Sequence, residues 1–259
     1  MGERNLRQLK MLERIRSSGG ASVSQLKNEF GVSIVTIRKD LEELERDGLI
    51  VRTFGGAVPS LTSDPQESLN VRSRLNPHEK QLIGKLAASL IEPMESVIVD
   101  AGSTTLEIIR HMRHGMPVTI ITPAVNIAIE ACALPNVTVM VPGGGLLDHF
   151  TLSLEGKDMD ESFSRLHADK VFLGVRGVDL QHGLSDTDTR RIVLKQVMIQ
   201  ASQQVIVVAD SHKIGKPSLI DIAPLSAVHA IVTDEGIDPA MVEELTCLGV
   251  TVHIAREMR

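Results

Sequence analysis

Apolar residues recur in two rhythms along this chain, and the rhythm changes near residue 76. In the first part, Leu6, Leu9, Leu12 and Ile15 return at helical spacing until Gly19-Gly20 stops them. Ser22 is placed to cap a short helix, Val23 to Phe30, that breaks at Gly31. Ser33 is placed to cap a third helix, with Val35, Ile37, Leu41 and Leu44 as its buried stripe and Gly48 as its end. Leu49 to Phe54 has strand composition and runs into the turn signal Gly55-Gly56. Pro59 to Pro77, with Ser60, Thr62, Ser63, Asp64 and Pro65, reads as a linker.

Beyond Asn76, short apolar runs alternate with helical stretches. The predicted strands are 96–99, 118–121, 137–141, 171–175, 205–209, 230–233 and 250–254, and helices are predicted at 105–113, 125–133, 191–202 and 240–247. Strands joined by crossover helices imply a largely parallel sheet covered on both faces. The expected fold is α/β: an N-terminal helix-turn-helix with a wing over 1–58, a linker over 59–76, and a parallel α/β domain over 77–259.

Composition narrows the function classes. With 42% hydrophobic and 23% charged residues, the chain has material for a packed core. No apolar run approaches the ~18 residues of a membrane helix, so a cytoplasmic protein without a membrane partner is expected. Cys132 and Cys247 are read as two buried small hydrophobes, and the nine His are scattered without metal-ligand spacing, so neither metal nor cofactor is expected. Without Trp or Tyr, base-stacking platforms for single strands are not expected. The net charge of −6 hides an asymmetry: residues 1–59 carry ten Lys and Arg against eight acids, and the excess of acid falls in the remainder.

The third helix places Ser33, Thr36, Arg38 and Lys39 in its first turns, off the apolar stripe, and Glu42, Glu43, Glu45 and Asp47 in its second half. Hydroxyls and guanidinium groups are what base edges and phosphates require, so its N-terminal half is the candidate for a duplex major groove. Arg52, ahead of the glycine turn, suits a wing that touches a phosphate or the minor groove. The competing reading is a solvated charged helix in an ordinary helical hairpin.

In the second domain, Val97 to Thr105 reads as strand, glycine turn and hydroxyl-rich helix start. A helix N-terminus offers free N–H groups and the positive end of a dipole, so phosphate is the natural ligand, although Ser103 is also placed to cap the helix. Pro142-Gly-Gly-Gly145 either admits close backbone approach or is a plain turn. Arg176 lies in a glycine turn at a strand end, and Asp210 is placed either to orient Lys213 or to touch a ligand.

Arg7, Met11, Ile15, Ser33 and the run Thr36-Ile-Arg-Lys-Asp-Leu41 resemble the signature of the DeoR family of bacterial transcriptional regulators, and Leu49 to Ala57 resembles that family's wing. The resemblance covers nearly the whole chain. It implies a winged helix-turn-helix reader joined to a sugar-phosphate sensor similar to ribose-5-phosphate isomerase. It also implies a repressor on double-stranded operator DNA, controlled by a phosphorylated sugar; the small footprint of a single winged helix adds the expectation of a homo-oligomer. The positions matching the effector pocket are Asp100, Gly102, Ser103, Thr104, Thr105, Gly143, Gly144, Asp179, Lys195 and Lys213, to which the strand-end Arg176 is added.

The departures from the pattern are specific. Thr122 is followed by Pro123, with Asn126 a candidate replacement. Leu147 and Asp148 stand where a basic residue is usual, and Arg190 and Arg191 stand where acids are usual. The carboxylate base that an isomerase needs is not found, which argues against catalysis; the alternative reading is a sugar-phosphate isomerase-like enzyme with an appended N-terminal interaction module. If Arg176, Arg190 or Arg191 faces the pocket, a second anionic group on the ligand is expected. The reading favoured for these three is surface pairing with Asp186 and Asp188.

Overall fold

The computed structural model describes residues 3–46, 49–59, 69–148 and 150–257, and contacts divide the chain into two units, residues 1–75 and 76–259. The expected helix end at Gly48 and half of the expected linker, residues 60–68, lie outside the described residues, as do the side chains of Leu6 and Leu9.

The first unit contains α1 (Glu3–Ser17), β1 (Ala21–Ser22), α2 (Val23–Phe30), α3 (Ile34–Arg46), β2 (Ile50–Thr53), β3 (Gly56–Pro59) and α4 (Leu69–Arg74). Thus part of the stretch read as linker is helical. Its three strands form an antiparallel sheet in the order β1-β3-β2. Ser22 and Gln25 cap α2 reciprocally, the Ser22 hydroxyl accepting from Gln25 N–H and the Gln25 side chain accepting from Ser22 N–H, and Gly31 in the left-handed conformation ends the helix. Ser33 Oγ accepts from Thr36 N–H at 3.1 Å and so starts α3.

Met11, Leu12 and Ile15 of α1, Leu26 of α2 and Ile37, Leu41 and Leu44 of α3 close one core with Leu49, Ile50 and Ala57. Val35 is the exception to its predicted stripe. It is 76% exposed, because two residues from Ile37 is more than half a helical turn away from the buried face. A polar network crosses this unit. Gln8 Nε2 donates to Asp40 Oδ1 (3.1 Å) and Glu43 Oε2 (2.6 Å), and Arg7 Nε donates to Asp40 Oδ2 (2.7 Å). Arg74 Nη1 on α4 donates to Gln8 Oε1 at 3.0 Å.

The second unit runs α5 (Pro77–Ser89), β4 (Ser96–Val99), α6 (Ser103–Arg110), β5 (Val118–Ile121), α7 (Val125–Cys132), β6 (Val137–Met140), β7 (Leu146–Asp148), β8 (Ser153–Glu155), α8 (Lys157–Phe163) and β9 (Ala168–Gly174). It continues with β10 (Gly177–Asp179), β11 (Gly183–Asp186), α9 (Thr189–Gln200), β12 (Ser202–Val208), β13 (Ile220–Ala223), β14 (Ala230–Asp234), α10 (Pro239–Cys247) and β15 (Thr251–Ala255). Seven strands form one parallel sheet in the order β15-β14-β12-β9-β4-β5-β6. A β7–β8 hairpin and an antiparallel β10-β11-β13 sheet were not expected, since both are built from strands too short to show alternation.

Along β4, Val97 and Val99 face a core shared with α5, α6 and α7, while Ile98 faces the core shared with α8, α9 and α10. The chain winds outward from β4 through β5 to β6, then returns to the other side of β4 with β9. The crevice at the carboxyl ends of β4 and β9 is therefore the switch point where open α/β sheets bind ligands. Cys132 and Cys247 are free and exposed on the outer faces of α7 and α10, which overturns the expectation that both are buried. Among the described residues no helix is long and apolar enough to cross a membrane, and no cluster of His, Cys, Asp or Glu is arranged to hold a metal.

Gly84 of α5 lies against α6 so closely that a Cβ would fall 2.4 Å from Glu107 Cβ and 2.6 Å from its carbonyl carbon. Alanine is favoured over glycine in a helix by about 1 kcal/mol, but overpacking against backbone typically costs about 1–3 kcal/mol. Gly84→Ala is expected to lower stability by up to about 2 kcal/mol in denaturant unfolding. An unchanged or raised midpoint would show that α6 yields at this contact.

Candidate functional site

The exposed side chains of α3 are divided along its length. Arg38 and Lys39 are exposed and have no partner among the described residues, and Ile34 and Val35 are exposed beside them. Ser33 Oγ and Thr36 Oγ1 lie 2.8 Å apart at the start of the helix, so both hydroxyls take part in the cap. Arg52 is placed differently from the sequence expectation. Its N–H donates to Glu45 Oε1 at 3.1 Å and its Nη1 lies 3.9 Å from Glu42 Oε1, which turns it toward the acidic half of α3. That acidic half holds the wing strand, and the N-terminal half is left open.

At the switch point, the chain leaves β4 through Asp100, Ala101 and Gly102 and enters α6 at Ser103. Asp100 is buried and collects three hydrogen-bond donors and one further cation. Oδ1 accepts from Ala101 N–H (2.7 Å) and Arg191 Nη2 (3.2 Å), and Oδ2 accepts from Gly174 N–H (3.2 Å) and lies 3.2 Å from Lys195 Nζ as an ion pair. Lys195 also meets Asp186 Oδ2 at 2.7 Å and donates to the Gly174 carbonyl, while Arg191 donates to the Ala101 carbonyl at 2.8 Å. Arg191 and Lys195 are 5% and 2% exposed and stand one turn apart on α9, so one helix face delivers both cations. Burial works against the ionisation of Asp186, yet Lys195 and Arg191 outweigh it and hold its carboxyl well below the usual range. Burial likewise opposes the charge on Arg191, and Asp100 and Asp186 more than offset it.

Two cations thus face two carboxylates, and the charges balance. The α6 terminus beside them is unsatisfied. Its N-cap is Gly102, with no side-chain cap, and Ser103, Thr104 and Thr105 are all buried. Thr105 Oγ1 donates to Gly102 O at 3.1 Å, whereas the Ser103 and Thr104 hydroxyls have no hydrogen-bond partner among the described residues. A buried helix start without partners is a ready site for an anion. In this unit the buried side-chain atoms without a partner include Asn126 Nδ2 and Oδ1 on the first turn of α7, Glu155 Oε1 on β8 and Thr233 Oγ1 on β14, whereas the Ser103 and Thr104 hydroxyls are not among them. Burial pushes the Glu155 carboxyl up.

The other sequence-selected residues are placed as follows. Lys213 lies 3.2 Å from Asp210 Oδ2, which favours the orienting role for Asp210; burial opposes that carboxylate, and Lys213, Lys80 and His212 hold its pKa down. Asp179 is not brought into the cluster. It sits at the tip of the β10–β11 hairpin, where its Oδ1 accepts from the His182 and Gln181 N–H groups, and these lower its pKa. Gly144 has φ +104° and packs against Asp158, where a Cβ would come within 2.5 Å, while Gly143 has open space around it.

Arg190 chelates Asp188 at 2.9 and 3.0 Å and reaches toward Glu155 and Asp148, which is the surface pairing expected for it. Arg191 overturns that expectation, being buried on Asp100. Arg176 is half-buried and has protein partners of its own. Of the three, Arg191 alone is brought to the start of α6, where Asp100 already engages it, so the condition for a second anionic ligand group rests on Arg191. Sequence reasoning favoured the surface for Arg191, leaving the pocket open only as a condition, and missed Asp186 as part of the site. The available signal was the spacing of Arg191, Leu194, Lys195 and Met198, which puts two cations on an otherwise apolar stripe.

Residues 7–62 match the model of the DeoR-like helix-turn-helix domain, and residues 75–235 match the DeoR C-terminal sensor domain. The chain is 35% identical to the uncharacterized HTH-type transcriptional regulator YulB of Bacillus subtilis, covering 92% of each chain. It is 31% identical to the HTH-type transcriptional regulator GlpR of Haloferax volcanii (95% of this chain, 96% of that one). It is 30% identical to the HTH-type transcriptional repressor GlcR of Bacillus subtilis (95% of both). Among solved structures, ribose 5-phosphate isomerase A from Methanocaldococcus jannaschii is similar over 54% of this chain and 55% of that one, with TM-score 0.39 and 17% identity. The full-length relatives are named as regulators or repressors and not as enzymes, which removes the isomerase alternative.

The balanced cluster makes a direct prediction. Lys195→Met leaves Asp100 and Asp186 sharing one cation and is expected to cost about 3–5 kcal/mol, the usual result of removing one partner from a buried pair. Asp186→Asn combined with Lys195→Met is expected to recover part of that loss. Because the Asp186 pKa is lowered on folding, its contribution is fully present above about pH 4 and declines as pH falls through its native value. Denaturant unfolding of wild type and Asp186→Asn should therefore differ by a constant amount above that pH and converge below it. A gap that widens on acidification would contradict the assignment.

Proposed function

The chain belongs to the DeoR family of transcriptional regulators, and on that premise we propose that it is a repressor of a carbohydrate-catabolism operon whose grip on its operator is set by a phosphorylated sugar or sugar derivative at the start of α6. One observation carries this reading: α6 begins uncapped and buried, with the Ser103 and Thr104 hydroxyls unpaired, at the switch point of the sheet. The neighbouring cations are already matched by carboxylates, so the ligand's charge is met chiefly by backbone N–H groups and the helix dipole. A phosphate arriving there competes with Asp100 for Arg191, and so acts on the contacts that join β4, β9 and α9.

Residues 1–58 serve as the reader and 77–259 as the sensor. Ser33, Thr36, Arg38 and Lys39 face the major groove, with Arg52 steadying the wing. The working form is a homo-oligomer, because one winged helix covers only about 600–1,000 Å² and pairing two readers on repeated half-sites raises affinity through effective concentration. The ligand acts by shifting the population between DNA-competent and DNA-incompetent arrangements, a coupling of about 1–3 kcal/mol.

Two measurements test this. Arg38→Ala is expected to weaken binding to the DNA upstream of the chain's own gene by about 1–3 kcal/mol in fluorescence anisotropy, with sensor stability unchanged. Intact affinity at physiological salt would mean that α3 is not the reading helix. In calorimetry against pentose and hexose phosphates and inorganic phosphate, Ser103→Ala and Thr104→Val are each expected to weaken the best binder roughly tenfold, the scale of a hydrogen bond to a charged group. Equal binding by wild type and both variants would place the ligand elsewhere.

A further inference from the structure

The wing carries an aromatic side chain that the fold does not use. The chain has five Phe and no Trp or Tyr. Phe163 and Phe172 are fully buried, Phe30 packs on the reader core, and Phe150 is half-buried. Phe54 is 111% exposed, so its whole ring stands in solvent. Leaving a phenylalanine in water forgoes roughly 1.5–3 kcal/mol of burial, so its position is informative.

Phe54 stands on a rigid base. It occupies the turn between β2 and β3, where Gly55 O accepts from Val23 N–H, the first residue of α2, at 2.8 Å. Gly56 pairs with Ser22, and its Cα lies so close to β1 that a Cβ would fall 2.4 Å from Ala21 O. Gly55 has φ +89°, which excludes most side chains from the tip. The tip is therefore one phenyl ring followed by two residues without side chains, and it bears no charge. It belongs to the same DNA-binding domain as α3.

We propose that Phe54 is a wedge that enters the minor groove of the duplex beside the segment held by α3 and unstacks one base step. The minor groove is only about 6 Å wide, and the bare backbone at Gly55-Gly56 lets the wing follow the ring inward. Apolar wedges of this type kink duplexes, and the cost of the kink depends on the step being opened. Phe54 thereby gives the reader a preference for flexible pyrimidine–purine steps at positions where it makes no hydrogen bond to a base. This inference uses the DNA-binding role alone and is independent of the effector.

The test uses the full chain and duplexes that it enriches from a randomised pool, with 2-aminopurine placed at each step flanking the half-site. Wild type is expected to raise the fluorescence at one step. Phe54→Ala is expected to abolish that rise, weaken binding on the order of tenfold and flatten the preference at that step, while Phe54→Leu retains most of each effect. Arg38→Ala serves as the control, weakening binding while keeping the fluorescence rise at saturating protein. Because Phe54 is fully exposed, its replacement leaves the fold intact, and unfolding midpoints verify this.

A wild-type complex with no fluorescence rise at any step overturns the wedge, as does Phe54→Ala bound as tightly as wild type. If Phe54→Ala instead changes the sedimentation of the free protein, the ring is a protein–protein contact and the wedge is again wrong. A chain that enriches no duplex removes the DNA-reading assignment, and the wedge with it.

Discussion

Four charges are buried together at the carboxyl edge of the seven-stranded sheet, and none of them is tolerable there alone. Asp100 and Asp186 need Lys195 and Arg191, and the cations need the carboxylates, because an isolated ion in such a place costs several kcal/mol. The arrangement also ties backbone together. Asp100 follows β4, Gly174 ends β9, Asp186 ends β11, and α9 supplies both cations, so satisfying the charges fixes where four elements meet. The start of α6 is positioned as a by-product, through Ala101 and its two hydrogen bonds. That helix start has no side-chain cap, and the Asn126 amide and Glu155 Oε1 are also without partners.

How much of this was legible depended on sequence distance. Caps, glycine stops and the β/α alternation are local, and Ser22, Gly31, Ser33 and the seven core strands could be read directly. The hydroxyl-rich start of α6 was equally local. The pairing of Arg191 with Asp100 spans 91 residues, and nothing near Arg191 announces a carboxylate waiting at the end of β4. Asp179 lies outside this cluster, and the two N–H groups of its own turn hold its carboxylate. Val35, Cys132 and Cys247 show that apolar character does not by itself put a residue inside.

The two units divide polar work differently. In the second, charge is buried and balanced. In the first, α3 is split along its length, with Asp40, Glu42, Glu43 and Glu45 engaged by α1 and the wing strand while Arg38 and Lys39 remain open. The acids that lower the helix's net charge are the ones that hold it in place, so the open end keeps a local positive character that the composition of the whole chain conceals.

Gln8 gives this bracing a mechanical meaning. Its amide nitrogen is bound to Asp40 and Glu43 of α3 and its amide oxygen to Arg74, one residue before the first unit ends. Gln8 and Arg74 thus fasten the last turn of the first unit to the helix that carries Arg38 and Lys39, so the segment that leaves this unit is anchored inside it, two side chains away from the open end of α3.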